Sequence, residues 1–200
     1  MVLTFSHRKA VQALNFFARE AGGTINKMKA LKLIYFADRF HLRKFARPIT
    51  CDAYFAMPFG PVASGCRDLV SESDAFLAPR EKQYREQYLE SFSKYTFSSK
   101  SSVDFKVFSQ SDLEALRFSQ LQYGSSEGFD LSKETHDFPE WKRHEAVLNS
   151  NQASRCPMHY GDFFDNPELG VDKMPPLDRE TANLLKEEIA ELGALSQVWC

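Results

Sequence analysis

Residues 26–70 read NKMKALKLIYFADRFHLRKFARPITCDAYFAMPFGPVASGCRDLV, and the patterns in this stretch decide the fold. In its first part, one set of residues recurs at alternating steps of three and four, which places their side chains on one face of a helix. The set consists of Met28, Leu31, Tyr35, Asp38, Leu42 and Phe45. Because further apolar residues widen this face, we predict a long central helix that begins near residues 24–26 and ends by Ala46.

The second part of the stretch indicates how the chain leaves this helix. A proline has no backbone donor and disfavours helical geometry in the residue before it, so the helix must end before the first proline of the stretch. Residues 51–57 alternate weakly between apolar and polar side chains, which predicts an extended segment. The next residues predict a fixed corner, with a helix over about residues 62–72 that has a proline in its first turn. The corner consists of Met57, Pro58, Phe59, Gly60 and Pro61.

Asp38 is an acidic residue in an otherwise apolar helix face, and His41 lies one turn further along the helix. A carboxylate is costly to bury without a partner, and residues three apart on a helix are within side-chain reach. We interpret the two residues as a buried, hydrogen-bonded pair that fixes the helix against the corner at residues 58–61. The alternative is that they form the general acid–base pair of a small enzyme, although no nucleophile signature accompanies them.

Elsewhere in the first half, the sequence predicts two further helices and a β-hairpin. Ser6 is a candidate N-cap for a first helix that ends at Gly22-Gly23, and a second helical pattern covers residues 79–92. After residue 94 the pattern changes to a period of two, which is typical of strands. The alternating residues are Tyr95 and Phe97 before a serine-rich tip at residues 98–102, and Val103, Phe105 and Val107 after it.

The second half of the chain predicts several helices and an irregular stretch. A helix with Ser109 as its N-cap is expected to end at Gly124, and two short helical pieces are expected within residues 131–148. Residues 149–176 are rich in proline and glycine and predict irregular structure. A last helix is expected over residues 178–193.

The length and composition are sufficient for one well-packed domain, since 43% of the 200 residues are hydrophobic and 26% are charged. We expect an α+β fold, mainly α, built around the long central helix with a small antiparallel β-hairpin. Residues 1–149 form the main predicted domain. Residues 150–200 are predicted to be an irregular segment and a C-terminal helix that pack on the same domain.

The net charge of −2 conceals an uneven distribution. Residues 1–100 contain 16 Lys and Arg against 9 Asp and Glu, and residues 101–200 contain 9 against 18. The basic excess is greatest on the long helix. This distribution indicates either internal attraction between the two halves or a charged surface for a partner, and a solvated helix face is the simplest alternative.

Several protein classes lack support in the sequence. The longest apolar runs are far shorter than the roughly 20 residues of a membrane-spanning helix, and the N-terminus lacks the pattern of a secretion signal, so we expect a cytoplasmic protein without membrane contact. The four cysteines are widely separated, as expected of free thiols in a reducing compartment. No phosphate-binding loop or HExxH motif is present, and Cys156 with His159 lacks a second pair of ligands, so we expect neither cofactor nor metal.

Three blocks of the sequence resemble a known family. They are LTFSHRKAVQALNFFARE near the start, KLIYFADRFHL followed by RPIT, DAYFAMPFGPV and RDLV in the central stretch, and LSKETHDFPEWKRH at residues 131–144. This order is similar to the Panacea domain, also called the SocA-like antitoxin domain, a phage-associated family formerly of unknown function. The resemblance implies a non-enzymatic antitoxin that binds and neutralises a cognate protein toxin encoded beside it. For some members it further implies an adaptor that delivers the toxin to a cytoplasmic protease.

The resemblance also implies a set of structural family residues. The set comprises Tyr35, Asp38, His41, Met57, Pro58, Gly60, Pro61, His136 and Trp141. Within the last block we expect Trp141 to be buried beside Pro139 and His136 to be hydrogen-bonded to backbone, with metal ligation by His136 as the alternative.

A protein that neutralises a toxin needs an exposed surface for it. We predict that this surface is the basic face of the long helix, formed by Lys29, Lys32, Arg39 and Arg43, with the serine-rich tip and the acidic C-terminal half as further candidates. DNA-binding autoregulation is an alternative, because a helix–hairpin–helix order with a basic helix describes a winged-helix reader. Against nucleic acid as a partner, the candidate recognition segment at residues 131–140 is acidic and the net charge is negative.

Overall fold

The computed structural model describes residues 3–168 and 170–198, with side chains described up to residue 194. This part of the chain forms nine α-helices and six short strands, so the fold is α+β and mainly α, as predicted. In chain order the elements are α1 (His7–Glu20), β1 (Thr24–Asn26), α2 (Lys27–Phe45), β2 (Tyr54–Met57), β3 (Gly60–Ala63), α3 (Ser64–Leu69), α4 (Pro79–Tyr88), β4 (Leu89–Glu90), β5 (Thr96–Ser99), α5 (Gln110–Tyr123), α6 (Gly128–Glu134), α7 (Pro139–Lys142), α8 (Glu145–Asn149), β6 (Cys156–Pro157) and α9 (Arg179–Val198). Three 3₁₀ turns lie at Phe105–Val107, Thr135–Asp137 and Tyr160–Phe164.

The predicted long helix is α2, and it occupies the centre of the molecule. The side chain of Asn26 caps it by accepting a hydrogen bond of 3.2 Å from the backbone N–H of Lys29. Every residue from Ala30 to Arg43 is buried, and the helix packs against α1, α5 and α6. A helix that is buried all round belongs to the core, which agrees with its wide apolar surface in the sequence.

The first sheet is antiparallel with the strand order β1-β5-β4. Thr24 of distant β1 pairs with Ser98 of β5, and β4, which precedes β5 in the chain, pairs along its other edge. The predicted hairpin over residues 95–107 is therefore wrong. Its second arm is instead a 3₁₀ turn at Phe105–Val107, and the first two residues of the serine-rich tip, Ser98 and Ser99, belong to strand β5.

The second sheet has the strand order β3-β2-β6 and contains the hairpin formed by β2 and β3. Pro61 lies in the edge strand β3 opposite Ala56, so the prediction that Pro61 begins a helix is wrong. An edge strand tolerates proline because its missing donor faces away from the neighbouring strand. Helix α3 begins only at Ser64, and the Asp52 carboxylate accepts hydrogen bonds of 2.7 Å from the backbone of Gly65 and Cys66 in its first turn.

The C-terminal part of the chain contributes to the same core. Phe163 and Phe164 are fully buried, and Ile189 of α9 is 5% exposed. Asp178 caps α9 by accepting a hydrogen bond of 2.9 Å from the backbone of Thr181, and the helix continues past Gly193 to Val198. The prediction that glycine ends this helix is therefore wrong.

Two further sequence expectations concern cysteines and membranes. Cys51, Cys66 and Cys156 are free thiols, and Cys200 lies outside the described residues. None of the helices in the described part of the chain has both the length and the hydrophobicity needed to cross a membrane.

Candidate functional site

The predicted basic face of α2 is not a surface. Lys32, Arg39 and Arg43 are each at most 3% exposed, and Lys29 is half-buried. The prediction of an exposed basic face is therefore wrong for three of its four residues. The physical reason is that acidic and carbonyl groups from later in the chain cover this helix, and a local pattern contains no information about them.

Arg39 lies in a buried ionic cluster. Its Nε donates to Oε1 of Glu140 at 2.7 Å, and Tyr35 OH donates to the same oxygen at 2.7 Å. Its Nη1 donates to Asp172, and the guanidinium lies 4.4 Å from the centre of the Phe138 ring. Charges removed from water need their partners, so we expect the loss of either partner to destabilise the fold.

Arg43, one turn further along α2, binds the segment that follows Phe163. Its Nη1 donates to the carbonyl oxygens of Phe163 and Asp165, both at 3.1 Å, and its Nη2 donates to the Asn166 side chain at 2.7 Å. Arg43 therefore fastens the C-terminal segment to the central helix.

Part of the opposite charge of the two halves is paired within the protein. Besides Arg39, three more cations of the first half pair with acids of the second half. These pairs are Lys9 with Asp112 at 2.7 Å, Lys44 with Glu114 at 2.5 Å and Arg43 with Asp172 at 3.9 Å. The interpretation of attraction between the halves is thus confirmed.

Asp38 is buried, but its partners are not those predicted. It accepts hydrogen bonds from the backbone of Ile49 at 2.7 Å, from Thr50 Oγ1 at 2.8 Å and from Tyr54 OH at 2.9 Å. Burial raises the pKa of the Asp38 carboxyl to about 6, and these hydrogen bonds oppose the shift. The pairing with His41 was wrong because the segment after α2 folds back and supplies several donors at once.

His41 faces a different neighbour. Its Nδ1 lies 2.5 Å from the carbonyl oxygen of Arg47, and its Nε2 lies 3.1 Å from Ser111 Oγ at the start of α5. Burial lowers the pKa of His41, and the hydrogen bond with Arg47 opposes this. Asp38 and His41 thus fix the end of α2 to two separate segments, and neither fixes it to the corner at residues 58–61.

That corner is the turn of the β2–β3 hairpin, and three side chains bind its carbonyl oxygens. The donor–acceptor pairs are Trp141 Nε1 with Met57 (2.9 Å), Ser132 Oγ with Phe59 (2.7 Å) and Lys32 Nζ with Pro61 (2.8 Å). Two of these donors come from the late sequence block and one comes from α2. We call residues 57–61 the pinned turn, because every second carbonyl in it is held by a side chain.

Gly60 is required in the pinned turn for two reasons. Its φ of +91° lies in the region that favours glycine, and a Cβ at this position would collide with Thr135 Oγ1 and Lys32 Nζ. Lys32 is enclosed here, and burial lowers its pKa from 10.5 to about 7. The turn and the amine beneath it therefore pack as one unit.

His136 and Trp141 complete the support of this turn. The imidazole stacks on the indole with ring centroids 3.8 Å apart, and Trp141 is 2% exposed. The expected burial of Trp141 is confirmed. The expected hydrogen bond from His136 to backbone is replaced by stacking, and no partner for its Nε2 lies among the described residues.

Beside the pinned turn lies a groove of about 580 Å³, which we call the hairpin groove. Three aromatic side chains at its rim face solvent: Phe59 of the turn is 57% exposed, Phe129 of α6 is 54% exposed and Tyr95 is 62% exposed. The other apolar lining residues are Met28, Leu31, Met57, Pro58 and Val62. The charged lining residues are Lys27, Lys32, Arg67, Lys94 and Glu127. Such a cluster of exposed aromatic rings is typical of an interaction site.

Sequence reasoning did not single out Phe59, Phe129 or Lys94 as functional residues. One signal was present, because Phe59 stands between two prolines at the tip of a turn, where a side chain has no core to enter. Phe129 reaches the groove only through the packing of α6 on α2, where Gly128 lies against the backbone of Lys29. No local sequence pattern predicts that contact.

The groups considered for catalysis lie outside the hairpin groove. Asp38 and His41 do not line the hairpin groove, and burial raises the pKa of the Cys51 thiol to about 11 and that of Cys66 well above its ordinary range. A thiol with a raised pKa is a poor nucleophile at neutral pH. Within the described residues, no three His, Cys, Asp or Glu side chains are grouped as metal ligands.

Comparison with protein families places the chain in one of them. The family described as Antitoxin SocA-like, Panacea domain, matches residues 31–142, which is more than half of the chain. The chain belongs to this family. The match includes α2 from Leu31 onward, the pinned turn and Trp141. No curated protein and no solved structure matches the chain.

Proposed function

We propose that this protein is a cytoplasmic, non-enzymatic antitoxin that binds and neutralises a cognate protein toxin encoded beside it. The observation that carries the proposal is the match of residues 31–142 to the SocA-like antitoxin family. The exposed aromatic rim of the hairpin groove supports protein binding, because large exposed apolar groups cluster where partners dock.

The buried state of the candidate chemical groups supports a role in binding rather than catalysis. Asp38 and His41 are each 0% exposed and have hydrogen-bond partners within the fold. Lys32 lies under the pinned turn and donates to the carbonyl oxygen of Pro61. Each of these groups forms hydrogen bonds within the fold, as buried polar groups generally do.

The first experiment is co-expression with the product of the neighbouring gene. We expect the neighbour to arrest growth when expressed alone, and the arrest to be relieved when this protein is expressed with it. The two proteins should elute together in size-exclusion chromatography after mixing. A neighbour that is harmless alone, or growth arrest that this protein does not relieve, would refute the proposal.

The same strains separate direct neutralisation from delivery to a protease. Direct neutralisation leaves the half-life of the toxin unchanged and requires a stable complex. Delivery shortens the half-life of the toxin only when this protein and the protease are both present. A pulse-chase measurement of the toxin in protease-proficient and protease-deficient cells distinguishes the two.

A further inference from the structure

The charges in the lining of the hairpin groove are mostly of one sign. Apart from the enclosed amine of Lys32, whose pKa is lowered to about 7, the charged lining residues are three cations and one acid, although the whole protein carries a net charge of −2. The acid is Glu127, which is exposed at the rim. The groove also receives the N-terminal end of α2, where the helix dipole is positive. The local field in the groove therefore favours an anionic occupant.

Two of these cations have no carboxylate partner in the described part of the chain. Lys94 is exposed at the rim and lies beside the Tyr95 ring, and Lys27 forms no ion pair at contact distance with any described residue. Glu72 influences Lys27 from longer range, and Arg67 has Asp68 as a neighbour at 3.4 Å. Lys27 and Lys94 are thus the cations that remain for a partner.

The apolar part of the groove offers one exposed aromatic surface, which we call the seat. The ring centroids of Phe59 and Phe129 lie 6.4 Å apart with their planes inclined at 52°, so the rings contact each other, and both are more than half exposed. Met28 and Met57 also line the groove, and their flexible thioethers adapt to varied shapes. An aromatic or aliphatic anchor packed against such rings is the usual source of binding energy in an interface.

The seat is rigid before any partner arrives. The carbonyl oxygens of Met57, Phe59 and Pro61 are each held by a side chain, as described above. Binding to a surface that is already ordered costs less conformational entropy than binding to a mobile loop. The pinned turn therefore presents Phe59 in a fixed position next to unpaired cations.

We propose that the hairpin groove binds an acidic segment of the toxin, in which one aromatic or aliphatic side chain packs against the exposed rings of Phe59 and Phe129. Neighbouring Asp or Glu side chains of that segment pair with Lys27 and Lys94. This inference rests on the proposed function and names the site and the chemistry of its partner.

The test measures the affinity of the purified toxin for the wild-type protein and for matched variants by fluorescence polarisation. Phe59→Ser combined with Phe129→Ser is expected to weaken binding by more than about tenfold, and Lys94→Glu by about tenfold. Glu127→Lys is expected to strengthen binding, because it removes the acid from the lining. Salt should weaken the wild-type complex, since the contacts are partly ionic.

The control variants carry comparable substitutions, an apolar residue to serine and a lysine to glutamate, at exposed positions away from the groove. Leu121 is 79% exposed, so Leu121→Ser removes an exposed apolar side chain, and Lys106→Glu reverses a charge on an exposed residue. Both are expected to bind within about twofold of wild type. Overlapping short peptides from the toxin then identify the segment, which should combine an aromatic or aliphatic residue with Asp or Glu.

Each outcome separates this inference from the proposed function. If the wild-type protein relieves growth arrest and the groove variants bind as tightly as wild type, the groove inference is overturned and the antitoxin proposal stands. If binding depends on Phe59 and Phe129 but not on Lys94, Glu127 or salt, the acidic partner is overturned. If the protein alone is a dimer that the Phe59→Ser, Phe129→Ser variant dissociates, the occupant is a second copy of this chain. If the wild-type protein fails to relieve the arrest, the proposed function fails and this inference with it.

Discussion

The two ends of α2 place cations in contrasting surroundings. Towards its C-terminal end, Arg39 and Arg43 are buried, and their donors bind Glu140, Asp172 and the carbonyl oxygens after α8. At its N-terminal end, Lys27 lines an open groove without an ion-pair partner among the described residues. The basic residues of this one helix therefore have two roles. Those near its C-terminal end form buried contacts within the fold, and Lys27 at its N-terminal end contributes to a positive surface.

The largest loss of stability is expected near the C-terminal end of α2, where Arg39 is paired with buried acids. Replacement of Glu140 by alanine leaves Arg39 buried beside Asp172 alone and removes the acceptor of Tyr35 OH. We expect Glu140→Ala to lower the free energy of unfolding by about 3–5 kcal/mol, measured by urea denaturation. Asp137→Ala, an exposed acid of the same block, serves as the control and should change stability by less than about 0.5 kcal/mol. Equal stability of the two variants would contradict the internal role of the cluster.

The pinned turn is bound both by Lys32 of α2 and by Trp141, which follows Glu140 in the chain. Gly60→Ala tests how far the stability of the protein depends on the geometry of this turn. The positive φ of Gly60 and the collision with Thr135 and Lys32 lead us to expect a loss of about 2 kcal/mol in the free energy of unfolding. Gly161→Ala is the matched control, because a Cβ at Gly161 would have no neighbour within 4 Å. A thermal melt of both variants measures the difference. If Gly60→Ala is as stable as Gly161→Ala, the turn does not depend on its glycine.

The sequence was sufficient for the elements that depend on local patterns. Helices α1, α2 and α5 follow mainly from the spacing of their apolar residues. Ser109 accepts the predicted capping bond from Asp112, whereas Ser6 precedes α1 without a side-chain capping bond. The structural class followed from these helices. Their prediction needed no contact with distant residues.

The failures share one physical cause, which is dependence on distant partners. Strand β5 was recognised as extended, but it pairs with Thr24–Asn26 and with Leu89–Glu90, and not with the segment that follows it. Pro61 fits the first turn of a helix as well as an edge strand, and only pairing with Ala56 decides between them. The prediction of an exposed basic face failed for the same reason, because Glu140 and Asp172 lie more than 100 residues from Arg39 in the sequence.

A pH-dependent effect on stability is expected from Lys32, the one buried amine under the pinned turn among the described residues. Its pKa is lowered to about 7 in the folded protein, so between about pH 7 and 10.5 the unfolded chain binds the proton more tightly. The contribution of Lys32 to stability should therefore rise with pH in this window, by up to about 1.4 kcal/mol per pH unit. Lys32→Met should remove this rise, and urea denaturation at several pH values measures it. Exposed Lys106→Met is the control and should keep the rise, whereas parallel curves for wild type and Lys32→Met would contradict the burial penalty.

The smallest expected change in stability belongs to Phe59, at the groove end of the comparison. Its ring is 57% exposed and its carbonyl, not its side chain, is bound by Ser132, so Phe59→Ser leaves the hydrogen bonds of the turn intact. We expect the free energy of unfolding to change by less than about 0.5 kcal/mol, whereas Phe138→Ser at a fully buried position should cost about 3–5 kcal/mol. Differential scanning calorimetry of both variants measures the contrast. A loss above about 2 kcal/mol for Phe59→Ser would make its ring part of the core, and the groove would then have no free aromatic rim to offer a partner.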